Sequence, residues 1–272
     1  MIKKFNYFLQ AMLIYLFFFI ARIIGIKLSR NIFSYIFCIL GPIFKSKNII
    51  YNNIKNFSHN ISEFERKKIV NEMWKNYGKT FIEYIFLDYF RKQTSHVEIS
   101  GQDNLPDQIN DKKPVIFVSG HFANFELMSM EITKQKINLA AIYRPLNNIF
   151  LNPFMEYLRK KYVCENQIKK GIAGVRQTIE YIKKKYSIAL MIDQRVSEGE
   201  KVNFFGKPSL TTTLPAQLAI KYNLKIIPVF IERLENNKFK IKFQKEINPN
   251  NFKGKFELTK ELNNVLEKMI IK

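Results

Sequence analysis

The stretch PVIFVSGH, residues 114–121, decides the fold class of this chain of 272 residues. Its first six residues are mostly β-branched or aromatic and none is charged, which predicts a short strand buried on both of its faces. Such strands belong to sheets that helices cover on both sides. Residues Asn124–Gln135 follow with a helical pattern. A buried strand that leads directly into a helix is typical of an α/β domain.

The same alternation of strand and helix extends from His96 to the end of the chain. Further strands are predicted at His96–Ser100, Leu139–Tyr143, Ile188–Ile192, Lys225–Ile231 and Phe239–Phe243. Further helices are predicted at Phe150–Tyr162, Ile172–Lys185, Leu214–Tyr222 and Phe256–Ile271. From this order we expect a mixed, mostly parallel sheet flanked by helices.

Upstream of the sheet, residues 48–95 are predicted to be a helical N-terminal part of the same domain, which spans residues 48–272. The main helix of this part is predicted at Ser62–Phe90. Ser62 and Glu65 have the spacing of a capping box at its start. Apolar residues then recur at helical spacing, which indicates a face packed against a core.

Residues 1–47 form a separate segment that is both apolar and basic. The run from Ala11 to Ala21 (AMLIYLFFFIA) contains no charged residue, and residues 1–62 contain eight Lys or Arg and no Asp or Glu. An apolar helix flanked by basic side chains is typical of contact with anionic lipid headgroups. We therefore expect a helical membrane anchor at residues 1–47. A cleaved signal peptide and a helical hairpin buried in a soluble domain are the less favoured alternatives.

The composition excludes several classes of protein. Two cysteines, Cys38 and Cys164, cannot build a disulfide framework and lie in no CxxC or Cys/His cluster, so neither a disulfide-stapled protein nor a structural zinc module is expected. The hydrophobic fraction of 47% argues against a mainly disordered chain, although the formal charge is +21. So basic a chain favours anionic partners. No zinc-finger or RNP motif is present, which argues against nucleic acid among them.

Polar side chains follow three of the predicted strands, in the segments Gly120-His121, Arg144-Pro145 and Asp193-Gln194-Arg195. Ligands of open α/β sheets collect at the carboxyl ends of the strands, so these segments are expected to form a site. Glu126 lies five positions after His121, and the two side chains meet if His121 occupies the strand-to-helix turn. Glu126 would then hold one imidazole nitrogen and leave the other as a general base. The alternative is a structural histidine near a solvated glutamate.

These segments resemble a known family. The octapeptide SGHFANFE at residues 119–126 resembles the HxxxxD/E motif of the glycerolipid-type acyltransferases, in the form of their late lipid A branch, the lauroyl and myristoyl transferases. Similar blocks of that branch are YRP at 143–145, DQR at 193–195, FFG at 204–206 and IPV at 227–229. The blocks keep the family's order. Glutamate stands where the wider superfamily mostly has aspartate, and no tryptophan-rich terminal segment follows Ile271, so a shortened or divergent member is expected.

The resemblance implies a glycerolipid acyltransferase-like fold and an enzyme that transfers a fatty acyl chain from an acyl carrier protein thioester to a hydroxyl of a lipid A precursor. It implies His121 as general base and Glu126 as its orienting partner. Arg144, or else backbone amides near Gly120, would stabilise the oxyanion. The expected substrate-binding residues are Arg144, Arg159, Asp193, Gln194 and Arg195, with Arg159 directed at a phosphate. Alternatively, Arg159 is a solvated helix charge and Asp193 pairs with Arg195 as scaffold.

The expected partners follow from the same resemblance. No metal and no cofactor is expected, and the acyl-acyl carrier protein is a co-substrate. The acidic carrier protein and the membrane with its anionic glycolipid are the partners, attracted by lysines such as Lys169-Lys170 and Lys183–Lys185. The expected location is the inner membrane, with the catalytic domain on its cytoplasmic face. Two alternatives stay open: an acyltransferase of the same superfamily with a lysophospholipid or other glycolipid acceptor, and a catalytically silent membrane scaffold.

Overall fold

The computed structural model describes residues 1–57, 61–106 and 113–271, which form two compact units. Unit 1 comprises Met1–Phe90 and Leu146–Leu158, and unit 2 comprises Arg91–Pro145 and Arg159–Lys272. The helices are α1 (Ile2–Phe44), α2 (Lys47–Phe57), α3 (Glu63–Glu83), α4 (Leu87–Lys92), α5 (Glu126–Lys134), α6 (Asn152–Leu158), α7 (Ile172–Lys183), α8 (Leu214–Tyr222) and α9 (Lys255–Ile271). The strands are β1 (Val97–Ser100), β2 (Ile116–Ser119), β3 (Leu139–Tyr143), β4 (Asn166–Lys169), β5 (Ser187–Met191), β6 (Glu200–Phe204), β7 (Lys207–Thr211), β8 (Ile226–Arg233) and β9 (Phe239–Phe243).

The long apolar helix α1 belongs to unit 1 and bends at Gly25, whose φ of 80° and ψ of 165° are not helical. Among the described residues it is the one helix that is long and apolar enough to cross a bilayer, as judged by length and composition. In the apolar 18-residue window that qualifies it, 17% is buried. A hairpin helix buried in a soluble domain, the alternative expected from the sequence, would have most of that window covered.

α1 packs against α3 through aromatic rings and one glycine. The ring of Phe81 on α3 lies 5.4 Å from the ring of Phe18 and 5.7 Å from that of Phe33. A Cβ added at Gly78 would overlap the backbone carbonyl of Phe33. Glycine at position 78 therefore allows the two helix backbones to approach this closely.

Two arginines of α1 form ion pairs inside unit 1. Arg22 donates from both terminal nitrogens to Asp88, each at 2.9 Å. Arg30 donates from Nε to Glu83 at 2.6 Å, and the Glu83 side chain is fully buried. Because both cations have acidic partners on α3 and α4, their cost within an apolar helix is reduced.

The helix predicted at Ser62–Phe90 begins as expected and then divides. The N–H of Glu65 donates to the Ser62 hydroxyl, and the Ser62 N–H donates to the Glu65 carboxylate, which completes the capping box. α3 ends at Glu83, however, and a 3₁₀ turn at Tyr84–Phe86 leads into α4. Such tightened turns are common at helix ends, and apolar periodicity alone does not reveal them.

Unit 2 contains a seven-stranded mixed sheet in the order β1-β9-β8-β2-β5-β3-β4. The strands β8, β2, β5, β3 and β4 are mutually parallel, whereas β9 is antiparallel to β8 and β1 is parallel to β9. Every residue of β2 is buried, as expected for a central strand covered on both faces. The fold class predicted from the sequence, a mostly parallel α/β sheet flanked by helices, is confirmed.

The core on one face of this sheet is formed by α7, α8 and α9. Its buried members include Ile116 of β2, Ile188 of β5, Ala219 of α8 and Leu262 of α9. On α5, the residues Leu127, Met128, Met130 and Ile132 are buried as well. These apolar contacts hold β2 and β5 rigid up to the residues that follow them.

Neither β4 nor the two-stranded hairpin formed by β6 and β7 is predicted by the sequence patterns. Only Ile168 is buried in β4, so the strand lacks an apolar run. The hairpin turns at Phe205 and Gly206, whose φ angles of 49° and 70° are both positive. Phenylalanine is unusual at such a turn position, which explains why the turn signal is weak. The segment expected as the helix Phe150–Tyr162 is α6 followed by a π-helical segment at Arg159–Val163.

Candidate active site

Parallel pairing in unit 2 brings the predicted polar segments to one edge of the sheet. β2 and β5 pair with Ser119 opposite Met191. Two residues further on, His121 follows β2 and Asp193 follows β5, so the two are neighbours across adjacent strand ends. Arg144 follows β3, which pairs with β5 on its other side. The expectation that these strand ends form one site is consistent with this register.

His121 is held by Asp193 through two hydrogen bonds. The imidazole Nδ1 lies 2.7 Å from Oδ1 of Asp193, and the backbone N–H of His121 donates to Oδ2 at 3.0 Å. An ionised carboxylate only accepts, so in the neutral ring Nδ1 carries the proton and Nε2 keeps its lone pair. The side chains are 33% and 23% exposed, which leaves the ring accessible to a reactant. Nε2 lies 3.4 Å from the side-chain amide nitrogen of Gln194.

The turn after β2 fixes the imidazole. Ala123 has a φ of 44°, an uncommon conformation for a residue with a side chain, and such strain concentrates at functional sites. The ring of Phe125 contacts the imidazole edge to face at 4.6 Å. At Gly120 an added Cβ would lie 2.8 Å from the Phe122 ring, so glycine makes room for that ring beside the site.

The predicted contact between Glu126 and His121 is wrong. Glu126 is the first residue of α5, and its Oε1 accepts from Nε of Arg159 at 2.8 Å and pairs with the Arg159 terminal nitrogen at 2.7 Å. The physical reason is that α5 starts at Glu126 and not one turn earlier, which directs the carboxylate to the π-helical segment. Asp193, expected to bind substrate or to pair with Arg195, takes the position beside the imidazole.

The structure places Arg159 in the interior of unit 2 and not at its surface. It is buried, bound to Glu126, and stacked with its guanidinium carbon 5.6 Å from the Tyr143 ring centre. It is therefore not a solvated helix charge, and its burial argues against the expected contact with a substrate phosphate. A buried arginine needs a carboxylate partner of this kind.

The remaining predicted residues lie at the surface of the same edge. Arg144, Gln194 and Arg195 are exposed, so each is open to a ligand. Within the residues that the structure describes, no group of three or more His, Cys, Asp or Glu side chains is placed to hold a metal ion. Cys164 is buried, and burial raises the pKa of its thiol to about 11, which keeps it protonated at neutral pH.

The whole chain is similar to known proteins. A family model described as bacterial lipid A biosynthesis acyltransferase matches residues 2–272. No curated protein sequence matches. Among solved structures, a 1-acyl-sn-glycerophosphate (LPA) acyltransferase, PlsC, from Thermotoga maritima is similar at 18% sequence identity, with 90% of this chain and 95% of that chain covered and a TM-score of 0.44.

Proposed function

The chain belongs to the bacterial lipid A biosynthesis acyltransferase family, and on this premise we propose that it is a membrane-associated O-acyltransferase. It moves a fatty acyl chain from an acyl carrier protein thioester to a hydroxyl of a lipid A precursor. The observation that carries the proposal is the His121–Asp193 pair at the carboxyl edge of β2 and β5. A partly exposed imidazole with one nitrogen held by a carboxylate is suited to general-base catalysis.

His121 acts on the acceptor hydroxyl. Nε2 takes the hydroxyl proton while the oxygen attacks the thioester carbonyl, and Asp193 stabilises the imidazolium that forms. Collapse of the tetrahedral intermediate breaks the carbon–sulfur bond, and the imidazolium returns the proton to the departing thiolate. Direct attack needs no covalent enzyme intermediate, which agrees with a protonated, buried Cys164.

Arg144 is our candidate for stabilising the oxyanion. It follows β3, the neighbour of β5, and its side chain is exposed at the edge where His121 and Asp193 lie. A cation at this place offsets the negative charge that develops on the carbonyl oxygen. The backbone amides near Gly120 are the alternative. Gln194, next to Nε2 of His121, and Arg195 are the proposed contacts of the polar part of the substrate.

Glu126 and Arg159 have a supporting role in this proposal. Their buried ion pair joins the first residue of α5 to the π-helical segment. This ion pair fixes Glu126, the residue at which the turn that carries His121 meets α5. We propose Asp193, and not Glu126, as the residue that orients the imidazole.

The proposed location is the inner membrane, with unit 2 on the cytoplasmic side where acyl carrier protein is found. The strongly exposed apolar residues of α1, among them Phe5, Phe19 and Ile23, support contact with a bilayer. The exposed Lys169, Lys170 and Lys183–Lys185 of unit 2 support attraction of the acidic carrier protein.

The proposed activity is tested by incubating the protein in neutral detergent with acyl carrier proteins of varied chain length and with a lipid A precursor or a lysophospholipid. Mass spectrometry detects the added acyl chain. We expect product on the lipid A precursor from wild type and none above background from His121→Ala. Product on the lysophospholipid alone would show that the acceptor is a lysophospholipid and not a lipid A precursor. Equal product from His121→Ala would refute the role of His121 as general base.

The proposed membrane contact is tested without deleting α1, because α1 packs against α3 and its removal would disrupt unit 1. The triple variant Phe5→Glu, Phe19→Glu, Ile23→Glu is expected to move into the soluble fraction. The matched control is the triple variant Ile172→Glu, Phe256→Glu, Ile271→Glu, which changes three exposed apolar positions of unit 2 and adds the same charge. Retention of the triple variant after carbonate washing would show that the anchor lies elsewhere.

A further inference from the structure

Two exposed lysines on one face of β9 differ in their cross-strand neighbours. Lys240 faces Glu98 on β1 and Glu232 on β8, so its charge lies between two carboxylates. One step along the same face, Lys242 faces Ser100 on β1 and Phe230 on β8. Lys240 therefore has two carboxylates as its cross-strand neighbours, and Lys242 has none.

Lys242 lines a pocket of about 390 Å³ together with two further lysines, Lys245 and Lys268. Phe230 and Met269 supply apolar wall, and no Asp or Glu belongs to the lining. None of the three lysines forms an ion pair with any acid in the described parts of the chain. Three cations around one small cavity repel one another, and an anion bound between them removes that repulsion.

The acids adjacent to these lysines in sequence are engaged elsewhere. Glu246, next to Lys245, pairs with Lys225 at 2.6 Å. Glu267, next to Lys268, accepts from the backbone N–H of Phe205 at 2.6 Å. The excess of positive charge at the pocket is therefore built into the local contacts and is not a consequence of the chain's composition alone.

Ser100 precedes Gly101, which lines the pocket, and its hydroxyl oxygen is buried and has no hydrogen-bond partner among the described residues. Parallel neighbours on β1 and β9 point to the same face, so this hydroxyl lies on the side of Lys242. A buried hydroxyl without a partner is costly in free energy, so the face of β9 that carries Lys242 has an unsatisfied polar group next to Gly101, which lines the pocket.

The pocket lies next to the candidate active site. Ser119, the last residue of β2, donates from its hydroxyl to the carbonyl of Val229, so Phe230 on β8 is level with Gly120. The ring of Phe230 contacts the ring of Phe122, which follows His121, at 5.3 Å. β9 is two strands from β2, which places Lys242 about 10 Å from the start of the catalytic turn.

We propose that this pocket is a phosphate-ester subsite. The lysines Lys242, Lys245 and Lys268 bind the phosphate, and Phe230 and Met269 contact the apolar portion beside it. That the phosphate belongs to a reactant rests on the proposed function. It is then either a phosphate of the glycolipid acceptor or the phosphodiester of the carrier protein's prosthetic arm. Both sources present the same anion within reach of a group that reacts at His121.

Binding is tested first, independently of turnover, on the full chain in neutral detergent. Lysine-reactive labelling followed by peptide mass spectrometry is performed with and without hexyl phosphate, with inorganic phosphate and hexanol as controls. We expect hexyl phosphate to protect Lys242, Lys245 and Lys268 at least about 10-fold, and to leave Lys240 labelled. Equal protection of Lys240, or no protection at all, would overturn the subsite.

The source of the phosphate is tested by kinetics. The variant Lys242→Gln, Lys245→Gln, Lys268→Gln is compared with a control of equal charge change, Lys240→Gln, Lys253→Gln, Lys260→Gln. We expect the first to raise the KM of one reactant about 10-fold, the acceptor or the carrier protein, with little change in kcat. Unchanged KM for both reactants would refute the reactant assignment. Protection by hexyl phosphate in a protein without acyl transfer would refute the proposed function and leave the subsite standing.

Discussion

Replacing Glu126 by Gln tests whether the buried ion pair with Arg159 is structural. Both side chains are at most 10% exposed, and their nitrogen–oxygen distances are 2.7 and 2.8 Å. Removing one charge from a buried pair leaves the other without compensation and typically costs about 3–5 kcal/mol. Because Gln keeps the shape and one acceptor, we expect the lower end, about 3 kcal/mol. For a chain of this size that lowers the melting temperature by about 6–12 °C.

The assay is thermal unfolding followed by circular dichroism in neutral detergent, within a double-mutant cycle. Glu126→Gln and Arg159→Met are measured singly and together. The double variant should be less destabilised than the sum of the single variants, because it leaves no buried charge without a partner. An unchanged melting temperature in Glu126→Gln, together with a large loss of kcat, would refute the structural role and restore Glu126 as the partner of His121.

Two further predictions concern packing and thiol chemistry. Gly78→Ala should destabilise the packing of α1 on α3 by about 1–3 kcal/mol, measured by thermal unfolding. Gly254→Ala is the control and should not destabilise the protein, because a Cβ added there meets nothing within 4 Å. Equal effects of the two substitutions would contradict the close approach of Gly78 to Phe33. Iodoacetamide at about pH 8 should alkylate Cys38 before Cys164. Burial raises the pKa of the Cys164 thiol to about 11, so its reactive thiolate forms only as the pH approaches that value. Fast labelling of Cys164 in the folded protein would be evidence against its burial.

Local sequence patterns predict most of the strands and helices of unit 2. The strands at Leu139–Tyr143 and Phe239–Phe243 have the bounds expected from the sequence, because buried β-branched or alternating residues mark them clearly. β4 could not be recognised, since its single buried residue leaves no periodicity to detect. Its position is fixed by pairing with β3, a contact between distant parts of the chain.

The site shows the same division between local and long-range information. His121, Asp193 and Gln194 were identified from their positions after buried strands. The contact between His121 and Asp193 was not predicted, because the two residues are 72 positions apart in the sequence. The nearby Glu126, five positions after His121, was expected to be the partner instead. The order of the strands, with β2 beside β5, is the signal that could have found the contact with Asp193. The lysine pocket depends on the register of β9 against β1 and β8, which the sequence does not state.

Asp193→Asn tests the central claim, that the His121–Asp193 pair performs the acyl transfer. The imidazole nitrogen lies 2.7 Å from the carboxylate oxygen. Two unit charges whose centres are about 4 Å apart interact by about 1–4 kcal/mol between water and a protein surface, and a middle value of about 2 kcal/mol corresponds to about 30-fold in rate. Asn also favours the imidazole tautomer that lacks a free Nε2, which extends the expected loss of kcat to about 10²–10⁴-fold. The measurement is acyl transfer to the lipid A precursor by mass spectrometry, with kcat and KM determined for wild type and Asp193→Asn. We predict a loss confined to kcat in Asp193→Asn, and transfer at the wild-type rate would contradict the account.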